Sequence, residues 1–150
     1  MNSLTEPAPI IVGVDGSDSS IAALRKAAEL AASLQTRLLV ITCWTVPNFY
    51  NGTIEFDETS FERDAKERQT AAISQAFENG CPVPAQKRIT HGRTADELIK
   101  ASTRAQMLVL GTRGRHEFIH MMLGSVSLEC IGGAHCPVLT VRATKKHATG

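Results

Sequence analysis

Apolar residues along this chain fall into short, dense runs separated by longer stretches of helical periodicity. "PIIVGVD", Pro9 to Asp15, is a continuous β-branched run. Such a run fits a strand covered on both faces of a sheet, because a half-exposed strand would alternate polar and apolar positions. The stretch after it, "GSDSSIAALRKAAELAASLQ", offers Ser and Asp as N-caps, and its Ala and Leu spacing predicts an amphipathic helix reaching Leu34. "RLLVITCW" reads as a second buried strand ending near Trp44. Strand, helix, strand is a βαβ unit, whose crossover is expected to be right-handed.

The next segment, "TVPNFYNGTIEFDET", is a loop of a length common in functional loops. From Ser60 to Asn79 the periodicity predicts a helix with Phe61, Ala65, Ala72, Ile73 and Phe77 toward the core. Gly80 is expected to close that helix as its C′ residue, with Pro82 shortly after. "AQKRITHG" reads as a weaker third strand, and "TADELIKASTRA" as a short helix capped by Thr94, with Glu97 completing a capping box. "MLVLG" and "PVLTVR" supply the fourth and fifth strands. Between them runs "TRGRHEFIHMMLGSVSLECIGGAHC", a glycine-punctuated loop leading into a helix from about Ser125.

No internal repeat, low-complexity block or linker is visible, and the tails "MNSLTEPA" and "TKKHATG" are expected to fray. Strands alternating with helices imply a single α/β domain over residues 1–150, with a core from about 9 to 143: an open, doubly wound sheet with helices on both faces. Ligands of such sheets bind at the carboxyl ends of the strands, where the connections diverge to opposite faces. Asp15, after the first strand, and the glycine loop, after the fourth, both fall at such ends.

Composition narrows the partners. The chain has 150 residues, enough to bury roughly 68 to 70% of its unfolded surface. Its 16 basic and 15 acidic residues leave a net charge of +1, which argues against nucleic acid as a main partner. Apolar stretches such as Leu38 to Ile41 and Met107 to Leu110 fall far short of the roughly 18 residues needed to cross a bilayer, so no membrane span is expected. "MNSLTEPAP" has neither a charged n-region nor an apolar h-region, and the cytoplasm is the expected location. Cys43, Cys81, Cys130 and Cys136 form no C-x-x-C pair and read as small buried hydrophobes.

The glycine loop carries the chemistry. Gly111, Gly114 and Gly124-Ser125 spell G-x₂-G-x₉-G-S. Glycines there are expected to permit positive φ and close approach of a ligand. The helix start offers N–H groups and a positive dipole end, a combination that favours phosphate oxygens. Ser125 adds a hydroxyl donor, and Arg113 and Arg115 could neutralise charge. His91, at the carboxyl end of the third strand, is a candidate for the border of the pocket, and Arg93 a secondary phosphate candidate. Within the spacer, "HEFIH" (His116 to His120) matches the H-E-x-x-H zinc pattern. No recognised zincin arrangement follows it, so it reads as the rim of the loop, and a zinc-dependent hydrolase is a remote alternative. There is no GxxxxGK[ST]. A flavodoxin-like flavin domain is disfavoured because the glycine motif follows the fourth strand instead of the first.

These segments together, "IIVGVDGSDSSIAAL", "ELAASLQTRLLVITCW" and "MLVLGTRGR...LGSVSLECIGGAHCPVLTVR", resemble the universal stress protein family, and the intact motif resembles its ATP-binding branch. The resemblance implies a five-stranded parallel sheet in the order 3-2-1-4-5 and a homodimer through the last strand, Pro137 to Arg142. It implies ATP with Mg²⁺ as ligand and a nucleotide-dependent regulatory role in the stress response, with slow ATP hydrolysis or a related adenine-nucleotide enzyme as the alternative. Asp15 would meet the ribose hydroxyls or the adenine edge, with Gly13 under the sugar and Val14 among the nucleotide-binding residues. Cys43 would line the adenine pocket and Leu110 pack beside the base. Gly111, Gly114, Gly124, Ser125 and Val126 would hold sugar and phosphates, with Arg113 nearby. Gln106 departs from the family, which commonly has an acidic residue there, and the loop from Val46 to Thr59 is a variable region.

Overall fold

A computed structural model describes residues 6–47, 57–114 and 123–143. Along the chain run β1 (Ile10–Gly13), α1 (Asp18–Ser33), β2 (Leu38–Trp44), α2 (Glu58–Ala76), β3 (Ala85–His91), α3 (Thr94–Ser102), β4 (Met107–Gly111), α4 (Ser125–Gly133) and β5 (Val138–Val141). The strands form one sheet in the order β3-β2-β1-β4-β5, and every adjacent pair is parallel. The order is the one the resemblance implied.

The unbroken apolar run of the first strand follows from its central place. Alternate residues of β1 face opposite layers, and each layer has its own helices. Ile10, Val12, Val14, Leu38, Val40 and Val109 pack with α1 residues such as Leu24 and Ala27 and with Ala72 of α2. Ile11, Leu39, Ile41, Leu108 and Leu110 pack on the other side with Ala95 and Leu98 of α3 and Cys130 of α4. A parallel sheet needs this two-sided cover, which is why these strands show no polar alternation. The outer strands differ: β3 exposes Gln86, Lys87 and Arg88, charged and polar residues that blunt a sheet edge, whereas β5 is a half-buried apolar edge.

Two helices depart from the expected boundaries. α2 runs from Glu58, capped by Asp57, and stops at Ala76, short of Asn79. Phe77 takes an extended conformation and packs against the α1-side core; Gly80, at φ +88°, closes the turn beyond it, its N–H donating to the Phe77 carbonyl at 3.2 Å. α3 is preceded by Arg93 at the N-cap with no side-chain cap hydrogen bond, so the Thr94 capping box does not form. The Thr94 side chain instead lines the same cleft as the Cys43 thiol, and the Glu97 carboxylate pairs with Lys100 at 3.5 Å.

The α2 stripe also holds a polar residue that periodicity alone did not reveal. Gln69 is 3% exposed, in line with buried Ala65 and Ala72. Its Nε2 donates to the Val40 carbonyl (3.2 Å), the Thr42 Oγ1 (3.2 Å) and the Arg88 carbonyl (3.1 Å), tying α2 to both β2 and β3. Thr42 in turn donates to the Val14 carbonyl at 2.7 Å. Substituting Gln69→Leu is expected to cost about 1 to 3 kcal/mol, because buried acceptors lose their donor; urea unfolding would measure this, and unchanged stability would show that the amide is dispensable.

Candidate functional site

The site forms where β1 and β4 send their chains to opposite faces. Past β1, the Val14 N–H donates to the Ile41 carbonyl at 2.9 Å, so the chain stays anchored to β2 before it turns. Asp15 begins the turn, and its Oδ1 accepts the Ser17 N–H at 2.9 Å, an Asx arrangement. Gly16 follows at φ +92°, a left-handed conformation that side chains disfavour. Ser17, and not Asp15, caps α1: its Oγ accepts the Ser20 N–H at 3.3 Å. Arg68 of α2 reaches across to donate to the Asp15 carbonyl at 3.4 Å.

The β4 side is built against that same first turn. The Thr112 N–H donates to Val141 at 2.9 Å, and the Thr112 carbonyl accepts the Gly124 N–H at 2.6 Å, tying both ends of the glycine loop together. Ser19 of α1 donates its hydroxyl to the Arg113 carbonyl at 2.6 Å, and the Arg113 N–H donates back to Ser19 Oγ at 3.3 Å. Ser127 of α4 donates to the Gly111 carbonyl at 2.8 Å. Thus α1, β4 and α4 meet through serine hydroxyls on backbone groups.

The glycines of the motif act differently from the expectation. Gly124 sits at φ −76° as the N-cap of α4, and Gly111 is absent from the positive-φ residues of the described chain. The requirement at Gly111 is steric: a Cβ there would meet Ser19 Oγ, the Ser19 carbonyl carbon at 2.6 Å and the Ser20 nitrogen at 2.7 Å. Close approach is needed, but by α1. At Gly13, on the opposite face, a Cβ would meet Leu110 Cδ2 at 2.8 Å and Leu98 Cδ1 at 3.0 Å.

Together these elements enclose a cleft of about 90 Å³ with its mouth open. Every nucleotide-site candidate except Ser125 lines it: Gly13, Val14, Asp15, Cys43, Leu110, Gly111, Arg113, Gly114, Gly124 and Val126. Ser125 opens α4 without lining the cleft. Four further lining residues escaped the sequence reading: Ser20, Thr94, Leu98 and Ser127. Ser127 could have been found as the next hydroxyl along the helix that closes the motif, and Leu98 as the inward residue of α3; the sequence alone offers Thr94 as a cap.

Val14, Leu98, Leu110 and Val126 give one apolar wall, and Cys43 belongs with them. Burial pushes the Cys43 thiol up to about 11, the Glu97 carboxylate adds to the rise, and the Thr94 hydrogen bond opposes it. At neutral pH Cys43 is therefore a protonated contact surface and not a nucleophile. The polar side has Asp15, the Ser20 hydroxyl and the first turn of α4, whose N-cap supplies no side-chain acceptor; such a helix start favours an anion.

His91 does not border the cleft. It pairs in register with Trp44 on the α2-facing side of the sheet and stacks on it, ring centroids 4.4 Å apart. Arg93 is committed to ion pairs with Asp96 at 3.0 Å and with Glu129 of α4. Gln106 anchors the N-terminal approach to β1, its amide donating to the Ala8 carbonyl at 2.7 Å. Arg115 and the "HEFIH" residues lie outside the described residues, as do residues 48–56 of the variable loop and most of both tails. Among the described residues no cluster of three or more His, Cys, Asp or Glu side chains could hold a metal, and no helix is long and apolar enough to cross a membrane.

A five-stranded parallel sheet with a cleft at the carboxyl ends of β1 and β4 defines a doubly wound α/β protein, and the cleft lies at the switch point where such folds take their ligands. Within that class, the chain belongs to the universal stress protein family, whose profile matches residues 8–142. A universal stress protein of Mycobacterium tuberculosis is 28% identical over 135 residues, covering 90% of this chain and 45% of the relative; the chain thus spans about half the length of such relatives. A universal stress protein from Archaeoglobus fulgidus, solved in complex with dAMP, is 25% identical with a TM-score of 0.66, over 91% of this chain and 99% of that one. A universal stress protein solved in complex with cAMP is 26% identical with a TM-score of 0.58, over 93% and 100%.

Proposed function

We propose that this chain binds an adenine nucleotide in the cleft between β1 and β4, with ATP carrying Mg²⁺ as the ligand, and serves as a nucleotide-dependent regulatory module. The observation that carries the reading is the convergence of Gly111, Gly114 and Gly124 of the motif and the Asp15 turn on one cleft with an apolar wall and a helix start without a side-chain cap. The complexes of similar proteins with dAMP and cAMP support adenine as the base. In this reading the base lies against Val14, Cys43 and Leu110, and the Asp15 carboxylate accepts from the ribose hydroxyls or the adenine edge. Gly13 lies under the sugar. Gly111, Gly114, Gly124, Ser125 and Val126 follow the sugar and phosphates, and Arg113 balances their charge. Mg²⁺ would be held chiefly through the nucleotide's phosphates and would neutralise part of their charge, so it would need no dedicated protein cage.

Binding is favoured over turnover because Asp15, the one carboxylate among the described lining residues, is assigned in this reading to the ribose or adenine. Residues 1–150 form one such domain in this reading, acting in the cytoplasm. Isothermal titration of ligand-free protein should give one site per chain for ATP with Mg²⁺, weakened at least tenfold by Gly114→Asp. Absence of heat with ATP, ADP and AMP alike would defeat the proposal.

The same reading includes a homodimer through residues 137–142. The edge of β5 presents Val138, Leu139 and Val141 half-buried, and α4 leaves Leu128 and Ile131 about half exposed (54% and 51%). Edge strands invite pairing, and a two-fold arrangement closes it. Light scattering should find a dimer for the wild type and a monomer for Val141→Asp; a monomeric wild type, or a dimeric variant, counts against this interface.

A further inference from the structure

A second cavity lies on the α3 side of the sheet, away from the nucleotide cleft. It exists because α3 is too short to cover that face: α3 packs on β1, β2 and β4, while β3 receives its helix cover from α2 on the other side. The β3 side chains in register with inward-facing Leu39, Ile41 and Cys43 are Gln86, Arg88 and Thr90, and they form one wall of a hollow of about 470 Å³.

Solvent exposure and edge protection account for each polar or charged side chain on that wall taken singly. They do not account for the convergence of cations from separate elements on one concavity. Arg37 from just before β2, Arg88 from β3, and Lys100 and Arg104 from the end of α3 and the turn after it converge on the hollow, where Glu97 is the one acid among the described lining residues. In a chain with net charge +1, this is a local excess of cations drawn from separate elements. Two of them are partly satisfied: Arg37 pairs with Glu6 at 3.6 Å and Lys100 with Glu97 at 3.5 Å. Neither Arg88 nor Arg104 has an ion pair or side-chain hydrogen bond among the described residues.

We infer that this hollow is a second ligand site, for a compact polyanion bearing two or more phosphate groups. Guanidinium forks match phosphate oxygens in bidentate geometry, and like charges gathered in a concavity raise the local concentration of anions. Among the described residues no aromatic side chain lines the hollow, and the recognition proposed is of charge and not of a base. The site is independent of the nucleotide reading and stands or falls separately.

Sodium tripolyphosphate is the probe. It would be titrated at low salt into the wild-type chain, Gly114→Asp and the Arg88→Ala/Arg104→Ala double variant, with backbone NMR shifts followed in the wild type. The expected result is binding kept in Gly114→Asp, weakened at least tenfold in the double variant, and fading as salt rises, with shifts centred on residues 86–90 and 100–104. Adenine-nucleotide affinity should be equal in the double variant and the wild type. Failure of the wild type to bind tripolyphosphate, full binding by the double variant, or shifts confined to residues 111–114 and 124–127 would overturn the inference; the wild-type shifts decide the matter even if the double variant misfolds.

Discussion

Replacing Gly111 by alanine should destabilise the protein by about 3 kcal/mol or more and remove nucleotide binding, because overpacking against a fixed backbone has no cheap relief. The added methyl would stand 2.6 Å from the Ser19 carbonyl carbon and 2.7 Å from the Ser20 nitrogen. These are backbone atoms in the first turn of α1, so relief requires the helix to move away from β4. That movement would break the Ser19 hydrogen bonds to Arg113 and shift the glycine loop. The double variant Gly111→Ala/Ser19→Ala offers a sharper form of the test: it removes the hydroxyl collision and leaves both backbone collisions, so it should recover little. Urea unfolding with nucleotide titration would measure both effects. A Gly111→Ala protein within about 1 kcal/mol of wild type would mean that α1 is not seated on β4 as described.

Asp15→Ala is expected to weaken adenine-nucleotide binding by about thirty- to a hundredfold, on the scale of a hydrogen bond to a charged group, about 2 to 3 kcal/mol. The same change removes the acceptor of the Ser17 N–H, next to the cap of α1, and should cost stability by about 1 kcal/mol as well. The two effects separate in Asp15→Asn. Its amide oxygen can still accept the Ser17 N–H, so stability should return to near wild type, while affinity recovers only in part because the charge is gone. Equal affinities for wild type and Asp15→Ala would remove Asp15 from the site.

How far the sequence foretold this arrangement can be followed element by element. The strands were legible because β1, β2 and β4 are buried on both faces, and a two-sided core leaves an unbroken apolar run in the sequence. The β3 strand read as weaker for a physical reason: as a sheet edge with one uncovered face it carries Gln86, Lys87 and Arg88. The strand order came from the family resemblance, since an alternating βα pattern does not by itself say which strands are neighbours.

The site was legible where residue type is dictated by place. Asp15 and the motif glycines lie where the chain leaves β1, leaves β4 and enters α4, and all of these line the cleft. The reason assigned to Gly111 was the illegible part. Sequence spacing marks a position that tolerates no side chain, but the neighbour that forbids it is the first turn of α1, more than ninety residues earlier. Gln69 and Ser127 were missed on similar grounds. A glutamine in a charged amphipathic helix looks like surface until strand carbonyls are found beneath it, and Ser127 acquires its role only because Gly111 lies under α4. Thr94 shows competition between local rules: its hydroxyl suits an N-cap, yet it sits one residue inside α3 and lines the cleft with Cys43.

The most direct test of the central claim is to heat-denature the protein purified from cells and identify the released small molecules by mass spectrometry. The account predicts adenine nucleotide, approaching one per chain, and its loss from Gly114→Asp protein purified in the same way. Release of flavin alone, or equal release of adenine nucleotide from wild type and Gly114→Asp, would contradict it.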